Sequence, residues 1–468
     1  MPCASSLIGK DAPWHHAIAT HHESKEHPME IIPQISHAMH TLLTTTTEAI
    51  AAAQQYVKRP DRAKFSPSTL VQTLVYGWLA QPTATVEQLA QMACRIGVAV
   101  SPQAIDQRFT MATADLLHQL VIASIHPVIA ANPVTLPILQ RFASVRVHDS
   151  TSIGLPDALT GIWRGCGNAT TGGGATLKCG VQLDVLTGAI TALDLVNGRA
   201  ADRALPLQQR DLPPGSLLLA DRGFYHLERL RQHDQQGVLW ITRLPSNAVV
   251  AYPGHAAQPL ATFVRELGPV ATWDCAIIVG KEQQVHGRLI VTRVTQAVAD
   301  QRRARIRQHA QHQHRMPSAA ALALADWNVV FTNVPRLLIS TTEVWTVMRV
   351  RWQIELLFKL WKSHARIDDW RTANPARVLC EIYAKLIGLV FQQWLLAASS
   401  WHDPERSLFK AAPIVAGMAG ELASTQADPP QFLRVLTRLA ALIQRWARTN
   451  KRQQPPTTAQ RLRALTAA

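Results

Sequence analysis

Residues 215–224 read GSLLLADRGF. Leu217–Ala220 is an unbroken apolar run closed by an acid, the pattern of a short strand buried on both faces that ends at Asp221. Upstream, Val145–Val147 is a β-branched run that leads to His148-Asp149. Leu177–Leu186 alternates up to Thr187-Gly188, and Ala189–Val196 alternates up to Asn197-Gly198, which predicts a hairpin. Residues 199–210 and Phe224–His233 are helix-like, and Val238–Thr242 is a further strand. The order strand, hairpin, helix, buried strand, helix, strand predicts an α/β fold with one mixed sheet flanked by helices.

The flanks have a different texture. Residues 1–30 are expected to be a disordered leader, with five histidines between His15 and His27. Residues 31–135 are helical and strand-poor, the pattern of an all-α N-terminal DNA-binding domain. Within them Thr85–Phe109 has the outline of a helix-turn-helix. Val86, Leu89, Ala90 and Ala93 step as one helix, Gly97 breaks it, and Ser101-Pro102 starts a second carrying Gln103, Asp106, Gln107 and Arg108. The same outline also suits a plain helical hairpin. The α/β core is expected over 140–245 and again over 336–400. Between them, 246–335 reads as a β-rich insertion that includes a basic helical stretch, Gln301–Arg315. Residues 401–468 read as a basic helical tail.

Composition bounds the function. The chain has 468 residues, which suggests about three domains at ~150 residues each. Lys plus Arg number 47 and Asp plus Glu 32, a formal charge of +15, which favours a polyanionic partner and nucleic acid first. Six cysteines with no C-x-x-C pair argue against a disulfide scaffold or a zinc ribbon. The N-terminus lacks the pattern of a signal peptide. Leu386–Ala398, the most apolar stretch, is interrupted by Gln392 and Gln393 and reads as too short and polar to span a bilayer. A soluble cytoplasmic protein with no membrane partner is expected.

Three acids stand out as metal ligands. Asp149 and Asp221 are each expected where a strand runs out. The third is Glu355, in a helix expected over Val344–His364. There Val347, Val350, Ile354, Leu357 and Trp361 make the buried stripe. Met348, Arg351, Glu355, Phe358 and Lys362 make a second stripe about 100° round the helix. A surface ion pair, Arg351–Glu355, is the plainer reading of the latter. Three converging carboxylates would suit two Mg²⁺ (or Mn²⁺) ions, which need hard oxygen ligands and neither Cys nor His. Arg351 and Lys362 would then hold phosphates of the DNA.

These residues resemble the bacterial DDE transposases of the insertion sequence 4 type, whose signature is Y-x2-R-x3-E-x6-K. Arg351, Glu355 and Lys362 keep that spacing, with Met348 in the place of the tyrosine and so without its hydroxyl. Asp221-Arg222-Gly223-Phe224 is similar to the family's second-aspartate motif and His148-Asp149-Ser150-Thr151 to its first. The long interval before Glu355 matches a β-rich insertion that such proteins carry.

The resemblance implies a ribonuclease-H-like core and hydrolysis at element ends. A hairpin made by the freed 3′-OH and joining to target DNA are implied next. It also implies that Trp327 stacks a flipped base, where the residues alone equally suit a strand tryptophan in the core. Arg222 would assist at phosphate. Processing both ends of an element implies a homodimer on double-stranded DNA. The rival expectations are a Mg²⁺-dependent nuclease without strand transfer and a non-catalytic DNA-binding repressor. Gly172-Gly173-Gly174 with Lys178 lacks the G-K-[ST] of a phosphate loop and reads as a flexible loop. The run from Arg302 to Arg315, and less densely Lys58-Arg59 and Arg62-Lys64, suits either a solvated face or contact with the DNA backbone.

Overall fold

The structure is a computed structural model and describes residues 31–56, 65–130, 132–166, 174–449 and 456–466. The leader, Lys58-Arg59, Arg62-Lys64, Gly172-Gly173 and Lys451-Arg452 lie outside the described residues. The rest is a mixed α/β arrangement divided into two compact units. One is formed by Arg141–Val145 with Arg210–Thr341. The other is formed by 31–140, Arg146–Gln209 and the residues from Thr342 onward.

The larger unit is built round one helix, Pro375–Ser400. Asn374 starts it by accepting from the Arg377 backbone N–H, with Pro375 in the first turn where its missing N–H costs nothing. Every residue from Val378 to Ser400 is buried. It is apolar all round because helices Met111–Ala123, Pro67–Ala80 and Pro429–Trp446 pack around it. At 26 residues it is longer than the apolar stretch legible in the sequence, and by length and composition alone it could cross a membrane. Its apolar window is wholly buried inside the protein. Two charges are tolerated in its buried part because they pair: Lys385 Nζ lies 2.7 Å from Glu381. Burial pushes the carboxyl up and the ammonium down, and the pairing opposes both.

Three strands belong to this unit: β1 (Val145–Gly154) from Arg146 onward, β2 (Thr176–Asp184) and β3 (Ile190–Asn197). β2 and β3 form the expected antiparallel hairpin, and β1 pairs with β2 from Arg146 to Gly154. Gly188 turns the hairpin at φ +76, and a Cβ there would lie 2.5 Å from the Trp401 ring, so only glycine fits. The hairpin end is tied down by Trp401 Nε1, which donates to Val185 O, and by Gln393 Nε2, which donates to Gly188 O.

β1 corrects the sequence expectation. Asp149 does not end a strand, for β1 continues to Gly154 with Ser150 facing Gly180 and Ile153 facing Leu177. Ser-Thr-Ser resembles a turn by composition, but Thr151 and Ile153 supply the alternate buried positions that keep the ladder running. Asp149 is therefore mid-strand, on the same face as the buried Val145, Val147 and Ile153.

The helix-turn-helix outline is only partly present. Helix Val86–Arg95 has a Thr85–Gln88 capping box, and Gly97 turns the chain at φ +89. The second helix, Pro102–Asp106, is a five-residue turn. Gln103, Asp106, Gln107 and Arg108 are exposed on and just after it, and Asp106 is paired with Arg377 at 3.4 Å.

The other unit holds β4 (Leu217–Ala220), β5 (Leu239–Thr242), β6 (Val249–Ala251), β7 (Gln258–Pro259), β8 (Thr272–Val279), β9 (Val285–Arg293) and β10 (Trp327–Thr332). Their order is β4-β5-β10-β9-β8-β6-β7. β4 and β5 are parallel and joined through helix Leu227–Gln235, the connection that a parallel pair requires. β10 pairs antiparallel with β5 and with β9. The strands of 246–335 thus continue the sheet that holds β4 and β5. The basic stretch occupies helix Gln296–His312 from Gln301 on and runs past its end through Gln313, His314 and Arg315.

Candidate active site

Glu355 and Asp149, 206 positions apart in the numbering, meet on one guanidinium. Arg351 Nη1 lies 3.2 Å from Asp149 Oδ2, and Arg351 Nη2 donates to Glu355 Oε1. Two local features make this possible. Asp149 points from the middle of β1, its Oδ1 accepting from the Ser150 backbone N–H at 2.8 Å. Arg351 closes a 3-10 turn, Arg349–Arg351, that interrupts the expected long helix between Glu343–Met348 and Trp352–Ser363. A tighter turn in mid-helix re-aims the side chains that follow it. Beyond the turn, Arg351 and Glu355 still face each other at i, i+4.

The buried stripe is as read from spacing: Val347, Val350, Ile354, Leu357 and Trp361 are all in the core. The second stripe is mixed. Met348 and Phe358 are also buried, so Met348 packs inward rather than offering a surface to DNA. Arg351, Glu355 and Lys362 become progressively more open, at 13%, 27% and 40% side-chain exposure. Lys362 Nζ donates to Ser152 O at 3.1 Å and lies 3.9 Å from Asp368, which ties the helix to β1. Trp370 Nε1 adds a second tie, to Gly154 O at 2.8 Å. The loop between them carries Arg366 at φ +47, an uncommon backbone for a non-glycine residue. Its carbonyl is gripped by the buried Lys385 Nζ at 2.9 Å.

Asp221 belongs to the other unit. It ends β4 as its sequence context predicts and caps a 3-10 turn, Arg222–Phe224, by accepting from the Arg222 backbone N–H at 2.8 Å. The Arg222 side chain is exposed. Among the described residues, no group of three or more His, Cys, Asp or Glu side chains forms a ready metal site. Asp149 and Glu355 are held together by a cation that is itself part of the chain. Two carboxylates around one guanidinium, both about a quarter exposed, are hard oxygen donors already arranged about positive charge. That donor chemistry fits a divalent ion such as Mg²⁺.

Trp327 opens β10 and is buried, with the Arg293 guanidinium 4.8 Å from its ring centroid. This is the core placement rather than an open stacking platform. Arg302 and Arg303 are also engaged internally. Arg302 donates to Trp327 O and to Asn328, and Arg303 pairs with Asp300 and Asp326. Arg305, Arg307, His309, His312, His314 and Arg315 remain exposed. Lys178 lies on β2 and pairs with Asp202 at 3.1 Å, which also accepts from Ser150 Oγ.

Sequence reading missed a second carboxylate cluster. Asp274 on β8 takes two hydrogen bonds from Arg288 on β9, with Arg336 and Thr341 closing round it. Arg288 Nη1 also donates to Val334 O and Ile339 O, which pins the segment leading toward Glu343–Met348. Asp274 faces Ile290 across the hairpin, so Arg288 is its diagonal neighbour, a relation visible only once the register is known.

A family model described as transposase DDE domain matches residues 140–391. Among curated proteins, the transposase for insertion sequence element IS231F of Bacillus thuringiensis subsp. israelensis is 26% identical over 92% of this chain and 94% of its own length. That for element IS231C of Bacillus thuringiensis subsp. berliner is 26% identical over 89% and 92%. That for element IS1151 of Clostridium perfringens is 24% identical over 66% and 70%.

Proposed function

Because the chain belongs to the transposase DDE domain family, we propose that it cuts and joins DNA at the ends of a bacterial insertion sequence, as a transposase similar to the insertion sequence 4 type. The observation that carries this is the meeting of Asp149 and Glu355 on Arg351, at the places the family resemblance assigns to acid and arginine. In this reading the core is ribonuclease-H-like. Asp149, Asp221 and Glu355 are the carboxylates that hold two Mg²⁺ or Mn²⁺ ions. Such a pair of ions supplies Lewis acidity at phosphorus and an activated attacking oxygen.

The chain's own residues do the rest. Arg351 offsets the mutual repulsion of the two acids it touches and lies ready to turn toward a phosphate. Lys362 presents its partly exposed ammonium from the same helix. Arg222, next to Asp221, offers a further cation for the backbone. Water attacks the phosphodiester and leaves a free 3′-OH. That hydroxyl then attacks the opposite strand to give a hairpin, and after hairpin opening it attacks target DNA, expelling a 3′-oxygen each time. Two chains act together on double-stranded DNA, one for each element end. The +15 charge supports binding to the DNA backbone.

One observation favours a second reading, a nuclease without a hairpin step: the Trp327 ring is covered by Arg293. The test is incubation of the purified protein with Mg²⁺ or Mn²⁺ and a duplex carrying an element end. Hairpins and joined products support transposition, nicks alone support a nuclease, and bound uncut DNA supports a repressor. Asp149→Asn and Glu355→Gln are each expected to lower cleavage on the order of 10³-fold. Cleavage equal to the parent's would remove both residues from the chemistry.

A further inference from the structure

A cavity of about 180 Å³ lies where helix Pro375–Ser400 ends, beside the end of helix Pro429–Trp446. It is lined by Ser400, His402, Asp403, Arg406, Gln444 and Arg448. Its volume is many times the ~10–15 Å³ that one water requires. None of these residues has a part in the proposed DNA chemistry.

The charges round it are unequally satisfied. Asp403 is fully committed: Arg448 donates to it at 2.6 and 3.0 Å, and the Glu405 backbone N–H donates at 2.8 Å. Arg406 has no carboxylate on its nitrogens among the described residues. Its Nη1 donates to the Trp401 and Asp403 carbonyls, and its plane lies 3.7 Å over the Trp401 ring. Its Nε is buried with no hydrogen-bond partner. Ser400 is only 5% exposed, and its hydroxyl is also unpartnered. A helical serine ordinarily returns its hydroxyl to the carbonyl one turn back, as Ser399 does to Leu395. Burial pushes the Arg406 guanidinium down to about 9, and the nearby Asp403 charge opposes this only in part.

We propose that this cavity binds a small tetrahedral oxyanion, a phosphate group, through Arg406 Nε and Ser400 Oγ. Water could fill the space, but a neutral molecule adds no charge to the partial compensation that Asp403 gives the guanidinium. A phosphate offers several acceptor oxygens and a negative charge together. Its source is either the DNA backbone or free phosphate.

The test titrates full-length protein with inorganic phosphate against chloride at matched ionic strength, read by calorimetry and by melting temperature. Phosphate is expected to bind and to raise the melting temperature. Ser400→Ala should weaken binding by about three- to tenfold. Arg406→Gln should abolish it, with Arg406→Lys in between. Should Arg406→Gln fail to fold, Ser400→Ala still decides, since it removes only an unpartnered hydroxyl. A second arm measures duplex DNA affinity over a salt series. Loss of about one phosphate contact from the salt slope in Arg406→Gln identifies the DNA backbone as the source. An unchanged slope with lost phosphate binding identifies a free anion. No phosphate effect beyond chloride, or one that survives unchanged in Ser400→Ala, overturns the proposal.

Discussion

The protein carries two arginine–carboxylate clusters that differ in one respect. At Asp274 a single acid is surrounded by Arg288, Arg336 and Thr341, and its side chain is only 7% exposed. At Arg351 two acids share one guanidinium, and both are open to solvent at 23% and 27%. In the first, positive groups outnumber the acid and every contact stays within the unit. In the second, the guanidinium is shared between two acids that stay near the surface. An over-satisfied buried pair is a fastening, whereas carboxylates that stay accessible to solvent can also be reached by a further cation.

The largest expected difference is in stability. Asp274→Asn leaves Arg288 with a buried charge and should cost about 3–5 kcal/mol in urea unfolding. Glu355→Gln, at a more open pair, should cost under about 1 kcal/mol while removing cleavage. Similar stability losses in the two variants would erase the distinction.

Acid titration sharpens it. His233 is buried with neither ring nitrogen partnered, and burial pulls it down to about 4. Its folded form takes up a proton less readily than the unfolded chain, near 6.5. Stability is therefore complete above about pH 6.5 and falls as pH drops toward 4, by roughly 3 kcal/mol. His233→Leu should flatten that part of the curve. Asp274 adds a second, lower limb. Burial pulls its carboxyl up, but the bonds from Arg288 and Thr341 outweigh this and leave it below the usual range. Its contribution is present above about pH 4 and lost as pH falls through its lowered value. Asp274→Asn should remove only this limb. A profile with neither limb would contradict both assignments.

The smallest effect concerns the open cluster. Arg351→Gln removes the competing cation and should tighten Mn²⁺ binding by about three- to tenfold, seen by the loss of free Mn²⁺ signal in electron paramagnetic resonance. Asp149→Asn should weaken the same signal change. Tighter binding in the first variant and weaker in the second supports the open cluster as a cation site. Equal binding in all three proteins would mean that Arg351 and the ion do not share ligands.

Much of the fold is legible in the sequence, and what is not has identifiable physical reasons. Asp221 stands out because an all-apolar run that stops abruptly at an acid is the mark of a doubly buried strand reaching its end, and β4 ends there. The β2–β3 hairpin follows from alternation and turn residues alone. Asp149 is conspicuous in the sequence but misplaced within its strand, because Ser-Thr-Ser suggests a turn unless a partner strand is there to pair it. The 3-10 turn at Arg349–Arg351 leaves no mark in the 3–4 spacing of the buried stripe. Trp327 fits a stacking role by position in the chain, yet its burial depends on Arg293 from the neighbouring strand.

The chain by itself determined what short-range patterns can carry: which segments are helix or strand, which faces are apolar, and that Arg351 and Glu355 must lie side by side one turn apart. Only the tertiary structure decided that Asp149 completes that pair, that Arg288 fastens Asp274, and that Trp327 is covered. Those outcomes depend on strand register and on contacts between segments distant in sequence, and a one-residue slip would turn each of those side chains to the opposite face.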